Sequence, residues 1–226
     1  MTRVLIVDDE PQILRALRIN LSVRGYEITT ASTGAAALRA AAEVRPDVIV
    51  LDLGLPDIDG LEVLAGLRGW NETPVIVLSA RSDSAEKVAA LDAGADDYVT
   101  KPFGMDEFLA RLRAAVRRGV VSADPGEPIV ETGSFAVDLA AKKVLKHGTE
   151  VHLTPTEWGI LEFLVRNRGK LISREELLRE VWGPSYAKET HYLRVYLAQL
   201  RRKVEDDPSH PRHLLTEAGM GYRFEC

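Results

Sequence analysis

Five short apolar runs, at residues 4–7, 26–30, 48–51, 75–78 and 98–100, are separated by stretches in which apolar residues recur every three or four positions. Ile13, Leu14, Leu17 and Leu21 form one such stretch. Leu61, Leu64 and Leu67 form another, and Phe108, Leu112 and Val116 a third. A short run that is apolar throughout reads as a strand buried on both faces, and helical spacing marks a helix with one buried face. Strand and helix alternating five times leave few topologies open. The pattern predicts an α/β domain: a doubly wound, five-stranded parallel sheet with right-handed crossovers.

In such sheets ligands bind beyond the carboxyl ends of the strands, at the point where strand order reverses. The polar residues expected there are Asp8 and Asp9 after the first run, Asp52 after the third, Ser79 after the fourth and Lys101 after the fifth. Glu10 extends the first pair to three consecutive acids. One acid is explained by capping or turn formation. Three repel each other, and a divalent cation offsets that repulsion. Carboxylates, a hydroxyl and an ammonium are the parts of a phosphoryl-transfer site: Mg²⁺ ligands, a nucleophilic carboxylate and donors to phosphoryl oxygens. Asp57, Asp59 and Glu62 stand away from strand ends and read as turn or first-turn helix acids.

A length of 226 residues suits two domains, and 46% hydrophobic content supplies two modest cores. No apolar run approaches the ~20 residues of a membrane span, and the N-terminus has no basic-then-apolar signal pattern. A cytoplasmic protein without membrane partners is expected. The single cysteine, Cys226, excludes an internal disulfide and a cysteine metal cluster. Net charge is −5, and neither half is basic overall. Positive charge is concentrated in residues 188–204, where Lys188, Arg194, Arg201, Arg202 and Lys203 face Glu189 alone. A local patch suffices to contact phosphates.

"VLIVDDEP", "PDVIVLDLGLPDIDG", "VIVLSA" and "DDYVTKPF" occur in that order. Together they resemble the flavodoxin-like receiver domain of bacterial two-component response regulators. The resemblance implies that Asp52 accepts a phosphoryl group from a sensor histidine kinase. It implies one Mg²⁺, ligated by Asp9, Asp52 and the backbone carbonyl of Gly54, with Asp8 holding it largely through water. Lys101 would pair with the phosphoryl group, and the Lys101–Pro102 bond would be cis. Ser79 and Tyr98 match the switch pair: Ser79 bonds the phosphoryl oxygens and Tyr98 turns inward. The chain would assist its own phosphorylation and dephosphorylation without being an enzyme in the ordinary sense.

"GVVSADPGEP" combines turn formers and two prolines without periodicity, so the boundary falls there. The expected division is a receiver over 1–119, a linker over 120–128 and a second domain over 129–226. The second domain opens with strand-like pieces near 129–132, 134–137, 143–145 and 151–153, with a hairpin turn at 146–150. Thr154 with Glu157, and Ser173 with Glu176, have capping-box spacing at the starts of two helices. A third helix is expected over 190–204, followed by a hairpin around the glycines of "TEAGMGYRF". This arrangement resembles the α+β winged helix-turn-helix output domain of the OmpR/PhoB family.

Stepping 100° per residue puts Leu193, Leu197, Leu200 and Val204 on a core face. His191, Val195, Ala198, Gln199 and Arg202 then point outward, flanked by Arg194 and Arg201, a set suited to base edges and phosphates in a major groove. The resemblance adds Tyr222 and Arg223 on the wing, with Trp182 and Thr154 near phosphates. "THYLRVYLAQLRRKVEDDPSHPRHLLTEAGMGYRF" is similar to the potassium-transport (Kdp) branch of that family. The resemblance implies operator DNA and RNA polymerase as partners. It also implies a homodimer formed on phosphorylation, pairing Lys87 with Glu107, Asp97 with Arg111 and Asp96 with Arg118 across a two-fold axis. Two other readings are an aspartyl-nucleophile phosphatase, whose general acid would stand where Gly54 does, and a receiver with protein- or RNA-binding output.

Overall fold

The structure, a computed structural model, describes residues 1–80, 83–119, 129–183, 186 and 190–226, without the side chains of Arg118 and of residues 190–192. The chain divides into two compact units, Met1–Gly119 and Val120–Cys226. The expected linker, 120–128, lies outside the described residues.

The first unit alternates β1 (Arg3–Val7), α1 (Pro11–Ser22), β2 (Glu27–Ala31), α2 (Gly34–Val44), β3 (Val48–Leu51), α3 (Gly60–Arg68), β4 (Val75–Ser79), α4 (Ser84–Asp92), β5 (Asp97–Thr100) and α5 (Met105–Gly119). The strands form one parallel sheet in the order β2-β1-β3-β4-β5. Order reverses at β1, between β1 and β3, so a crevice opens beyond the ends of those two strands. Alternate residues serve opposite faces. Val4, Ile6, Val48, Val50, Ile76 and Leu78 join Leu17 and Leu21 of α1 and Phe108 and Leu112 of α5 in one core. Leu5, Val7, Ile49, Leu51, Val75 and Val77 are equally enclosed on the other face. Double-sided burial is why these strands read as unbroken apolar runs.

Local chemistry sets the helix starts. Thr33 caps α2 through a bond from Ala36 N (3.2 Å), Asp59 caps α3 through Leu61 N (2.8 Å) and Asp83 caps α4 through Ala85 N (3.1 Å). Gly60 follows its cap without a side chain. A Cβ there would collide with the Asp52 carbonyl oxygen at 2.6 Å and with Leu53. The start of α3 is therefore pressed against the end of β3.

At the amino-terminal edge of the sheet Arg68, the last residue of α3, binds four acceptors: Gly94 O at 2.8 Å, Asn71 O at 3.1 Å, Thr73 O at 2.8 Å and Asp96 Oδ2 at 2.8 Å. Asp96 is fully buried and also accepts from Val75 N at 2.9 Å. A buried ion pair compensated this fully locks α3, β4 and the start of β5 together.

The second unit begins with an antiparallel sheet, β6 (Ile129–Glu131), β7 (Phe135–Asp138), β8 (Lys143–Lys146) and β9 (Thr149–Val151). The last strand starts two residues before its expected place. His147 and Gly148, at φ 49° and 80°, turn the chain in two residues, so Lys146 already pairs with Thr149. α6 (Pro155–Arg166), β10 (Ile172–Ser173), α7 (Arg174–Val181), α8 (Thr190–Val204), β11 (Leu214–Glu217) and β12 (Gly221–Phe224) follow. β10, two residues long and too short to show periodicity, pairs with β12 beside the β11–β12 hairpin.

Thr154 and Glu157 form a complete capping box on α6, and Ser173 accepts from Glu176 N at 3.1 Å to cap α7. Lys203 of α8 reaches the same Glu157 carboxylate at 2.6 Å. Glu205, 2% exposed, accepts from the backbone N–H groups of Arg212, His213 and Leu214 at 2.7 to 3.0 Å and so fixes where β11 begins.

Candidate functional site

The crevice at the carboxyl edge of the sheet holds the charges expected there. Lys101 Nζ lies 2.8 Å from Asp8 Oδ2, 3.0 Å from Asp52 Oδ2 and 3.0 Å from Glu10 Oε1. Backbone bonds aim these groups: Asp52 N donates to Val7 O (2.8 Å), Lys101 N to Ser79 O (2.8 Å) and Glu10 N to Asp8 Oδ1 (2.9 Å). The Lys101–Pro102 peptide is cis. Asp8 is fully buried and Asp52 is 5% exposed, whereas Asp9 is exposed.

Three carboxylates against one ammonium leave the site short of positive charge. Burial pushes the Asp8 carboxyl above the ordinary 3.8, against the opposing pull of Lys101 and of Glu10 N. Burial works against the Lys101 ammonium too, but Asp8, Asp52 and Glu10 together outweigh it and hold its pKa above the usual lysine value. Asp8 Oδ2 is buried, and among the described residues only its ion pair with the Lys101 ammonium at 2.8 Å engages it. Ligand oxygens of Asp8, Glu10 and Asp52 all fall within 4.8 Å of one another. A hard divalent cation fits this donor set and would supply the missing positive charge.

Asp9, expected as a direct ligand, is outside that cluster. Glu10 is inside it, at the end of the acid run that first marked the site. Gly54 is exposed beside the crevice, with its N–H 3.3 Å from Asp52 Oδ1. Ser79 ends β4 at 2% exposure, and Tyr98 lies at 2% with its ring inside the unit. Asp57, read as a turn acid, spans from the β3–α3 loop to the start of α2, where Gly34 N (2.7 Å) and Ala35 N (3.0 Å) donate to it. Those bonds hold its carboxyl below the usual range.

Among the residues expected at a dimer face, Asp96 requires correction. Its fully buried carboxylate is an internal strut to Arg68 and not a surface charge. Asp97 is also buried, and Arg111 covers it within the same chain at 3.0 Å while bonding Glu107 at 2.7 Å. Lys87 is half-buried and Glu107 exposed. The Arg118 side chain lies outside the described residues.

The expected DNA face of α8 is narrower than its helical wheel suggested. Leu193, Leu197, Leu200 and Val204 are buried as expected, but Val195 and Gln199 are also enclosed, at 9% and 8% exposure. Arg201 turns to β11, donating to Leu214 O at 2.8 Å and Thr216 Oγ1 at 2.7 Å, and burial lowers its pKa. Arg194, Ala198 and Arg202 remain exposed, spaced by four along one stripe. The His191 side chain lies outside the described residues. A wheel with one buried side failed here because this helix is covered on more than one side.

Three further residues expected at the DNA have side chains enclosed within the second unit. Trp182, 1% exposed, packs against Tyr196 and Tyr186 with centroids 5.4 and 6.5 Å apart. Tyr222, 4% exposed, faces inward on β12. Thr154, 8% exposed, commits its hydroxyl to the α6 cap. Arg223 is half-buried, 3.4 Å from Glu217 and 3.7 Å from Glu225.

Residues 4–113 match the family described as response regulator receiver domain, and residues 148–224 match transcriptional regulatory protein, C terminal. Over all 226 residues of both chains, the sequence is 77% identical to the transcriptional regulatory protein KdpE of Mycobacterium tuberculosis. It is 51% identical to the KDP operon transcriptional regulatory protein KdpE of Escherichia coli, covering 99% of each. The crystal structure of DrrB, a Thermotoga maritima OmpR/PhoB homologue, superposes with a TM-score of 0.54 at 33% identity, covering 100% of each chain.

Proposed function

From the premise that this chain belongs to the response-regulator family of transcriptional regulators, we propose that Asp52 is its phosphoacceptor and that a sensor histidine kinase supplies the phosphoryl group. The observation that carries this reading is the Lys101 ammonium held 3.0 Å from a nearly buried Asp52 carboxylate at the switch point of the sheet. An Asp52 oxygen attacks phosphorus as the bond to the leaving group breaks, and Lys101 neutralises charge on the phosphoryl oxygens. Asp8 and Asp52, with Asp9 and the Gly54 carbonyl, would hold Mg²⁺, which supplies further charge neutralisation when bound. Loss of the phosphoryl group by attack of water is assisted by the same groups.

Ser79 and Tyr98 form the switch in this reading, and both already lie inside the unit. Phosphorylation promotes a homodimer through the α4–β5–α5 face, where Lys87, Glu107 and Arg111 remain the candidate contacts. Two output units then meet tandem half-sites on operator DNA, with Arg194 and Arg202 entering the groove and RNA polymerase as the downstream partner. The regulated genes are those of a potassium-transport operon, following the KDP operon named for the Escherichia coli relative. No helix among the described residues is long and apolar enough to cross a membrane, which agrees with a cytoplasmic site of action.

Acetyl phosphate with Mg²⁺ should add one acid-labile phosphoryl group, absent in Asp52→Asn. Equal labelling of that variant would refute the assignment.

A further inference from the structure

Glu10 occupies the N-cap of α1 without doing what an N-cap side chain ordinarily does. Its backbone carbonyl accepts from Ile13 N and Leu14 N, but its carboxylate makes no capping bond. The side chain instead reaches a lysine 91 residues away and accepts from Lys101 Nζ at 3.0 Å. With the Glu10 side chain 57% exposed, this pair adds little to stability. The Glu10 backbone is nevertheless fixed beside the crevice by its N–H bond to Asp8 Oδ1. A side chain released from capping and spent on a weak surface pair points to a role in the chemistry of its partner.

Lys101 divides its donors between Glu10 and Asp52 while touching Asp8. Phosphoryl transfer makes a new demand on them. When an Asp52 oxygen bonds to phosphorus, the old phosphorus–oxygen bond breaks and the leaving group departs with the electron pair, as acetate when acetyl phosphate is the donor. The phosphoryl oxygens on Asp52 then require a cationic donor. Of the three carboxylates on Lys101, only Glu10 has ready access to water, so it is the one that can let go. Its charge also stands within 4.8 Å of the Asp52 oxygen and opposes an approaching anion.

We propose that Glu10 is a positioning residue for phosphoryl transfer, a displaceable counter-ion that holds Lys101 and slows capture of an anionic phosphoryl donor by Asp52. The inference rests on Asp52 being the phosphoacceptor. Removing one charge at this distance should change the rate by roughly three- to ten-fold.

The test measures phosphorylation of the full chain by acetyl phosphate at saturating Mg²⁺, by intact mass, over a range of salt concentrations. Peptide mapping locates the label, and Mg²⁺ binding is followed separately by thermal shift. At saturating Mg²⁺, Glu10→Gln and Glu10→Ala should both react faster than the wild type, with a flatter salt dependence, even though loss of the nearby charge raises the Mg²⁺ midpoint. Glu62→Gln, which removes an exposed charge from the first turn of α3, should react at the wild-type rate. An unchanged rate in both Glu10 variants would overturn the proposal, as would an equal rise in Glu62→Gln. Slower labelling with a raised Mg²⁺ midpoint would also overturn it, making Glu10 a metal ligand. Labelling that persists in Asp52→Asn would instead refute the phosphoacceptor assignment beneath it.

Discussion

The two edges of the receiver sheet each bury charge, and they do so in opposite ways. At the amino-terminal edge one guanidinium meets Asp96 and three carbonyls, and Asp96 takes a backbone N–H besides. At the carboxyl edge one ammonium faces three carboxylates, and a buried oxygen of Asp8 has, among the described residues, that shared ammonium alone. Both clusters are ionic, yet only the second is incomplete. A compensated cluster has nothing left to offer a ligand, whereas an uncompensated one spends stability to keep a site ready. The shortfall of positive charge, more than burial or perturbed titration alone, separates the edge proposed to be reactive from the structural one.

Removing Arg68 tests the contrast most severely. Arg68→Ala leaves Asp96 buried without its countercharge and should cost about 3 to 5 kcal/mol in urea unfolding. The folded fraction should still accept a phosphoryl group at Asp52. A loss below about 1 kcal/mol would mean that the amino-terminal edge is no better compensated than the other. The opposite edge should respond to a cation instead. Mg²⁺ at a hundred-fold excess over its dissociation constant should stabilise the chain by about 2.7 kcal/mol. Asp8→Asn should lose most of that gain and Arg68→Ala should keep it. Equal stabilisation of Asp8→Asn would break the comparison.

The same distinction operates between neighbours on α8. Arg201 is spent on β11, so Arg201→Ala should lower the stability of the second unit by about 1 to 3 kcal/mol. Arg202 is exposed, so Arg202→Ala should leave stability within about 0.5 kcal/mol while weakening operator binding by about 1 to 3 kcal/mol. Unfolding curves and binding titrations on both variants separate strut from reader.

The smallest effect is one of pH. Burial raises the Asp8 pKa in the folded chain, so its ionisation opposes folding. That penalty is fully present above the folded pKa and is gone below the unfolded value near 3.8. Without Mg²⁺, the stability advantage of Asp8→Asn over the wild type should shrink as pH is lowered from neutral through this window. An advantage that grows with acid would contradict the assigned direction.

The receiver was legible in the sequence because each of its signals is local. Two-sided burial makes strands readable as apolar runs, and the topology then brings Asp8, Asp52, Ser79 and Lys101 to one edge without further knowledge. Glu10 was visible in the same acid run, but a glutamate at an N-cap reveals no partner 91 residues away. Arg68 and Asp96 were harder for the same reason: their bond joins a helix end to a distant strand start. The second unit was legible in its caps and hairpins and misread in its surface. A helical wheel assigns one inward side, whereas the packing around α8 encloses Val195 and Gln199 as well. Trp182 and Tyr222 were expected at the DNA only because the family resemblance implied it, and tertiary packing shows them turned inward.

Gly60 separates intolerance to substitution from chemical participation. It touches no phosphoryl group and carries no charge, yet even an alanine methyl would strike the Asp52 carbonyl oxygen and Leu53. In a saturation screen scored by output, position 60 should therefore be nearly as unforgiving as position 52. A map of such failures would mark both residues alike, and only a chemical assay of the surviving folded protein would distinguish the proposed nucleophile from the spacer that lets α3 start where it does.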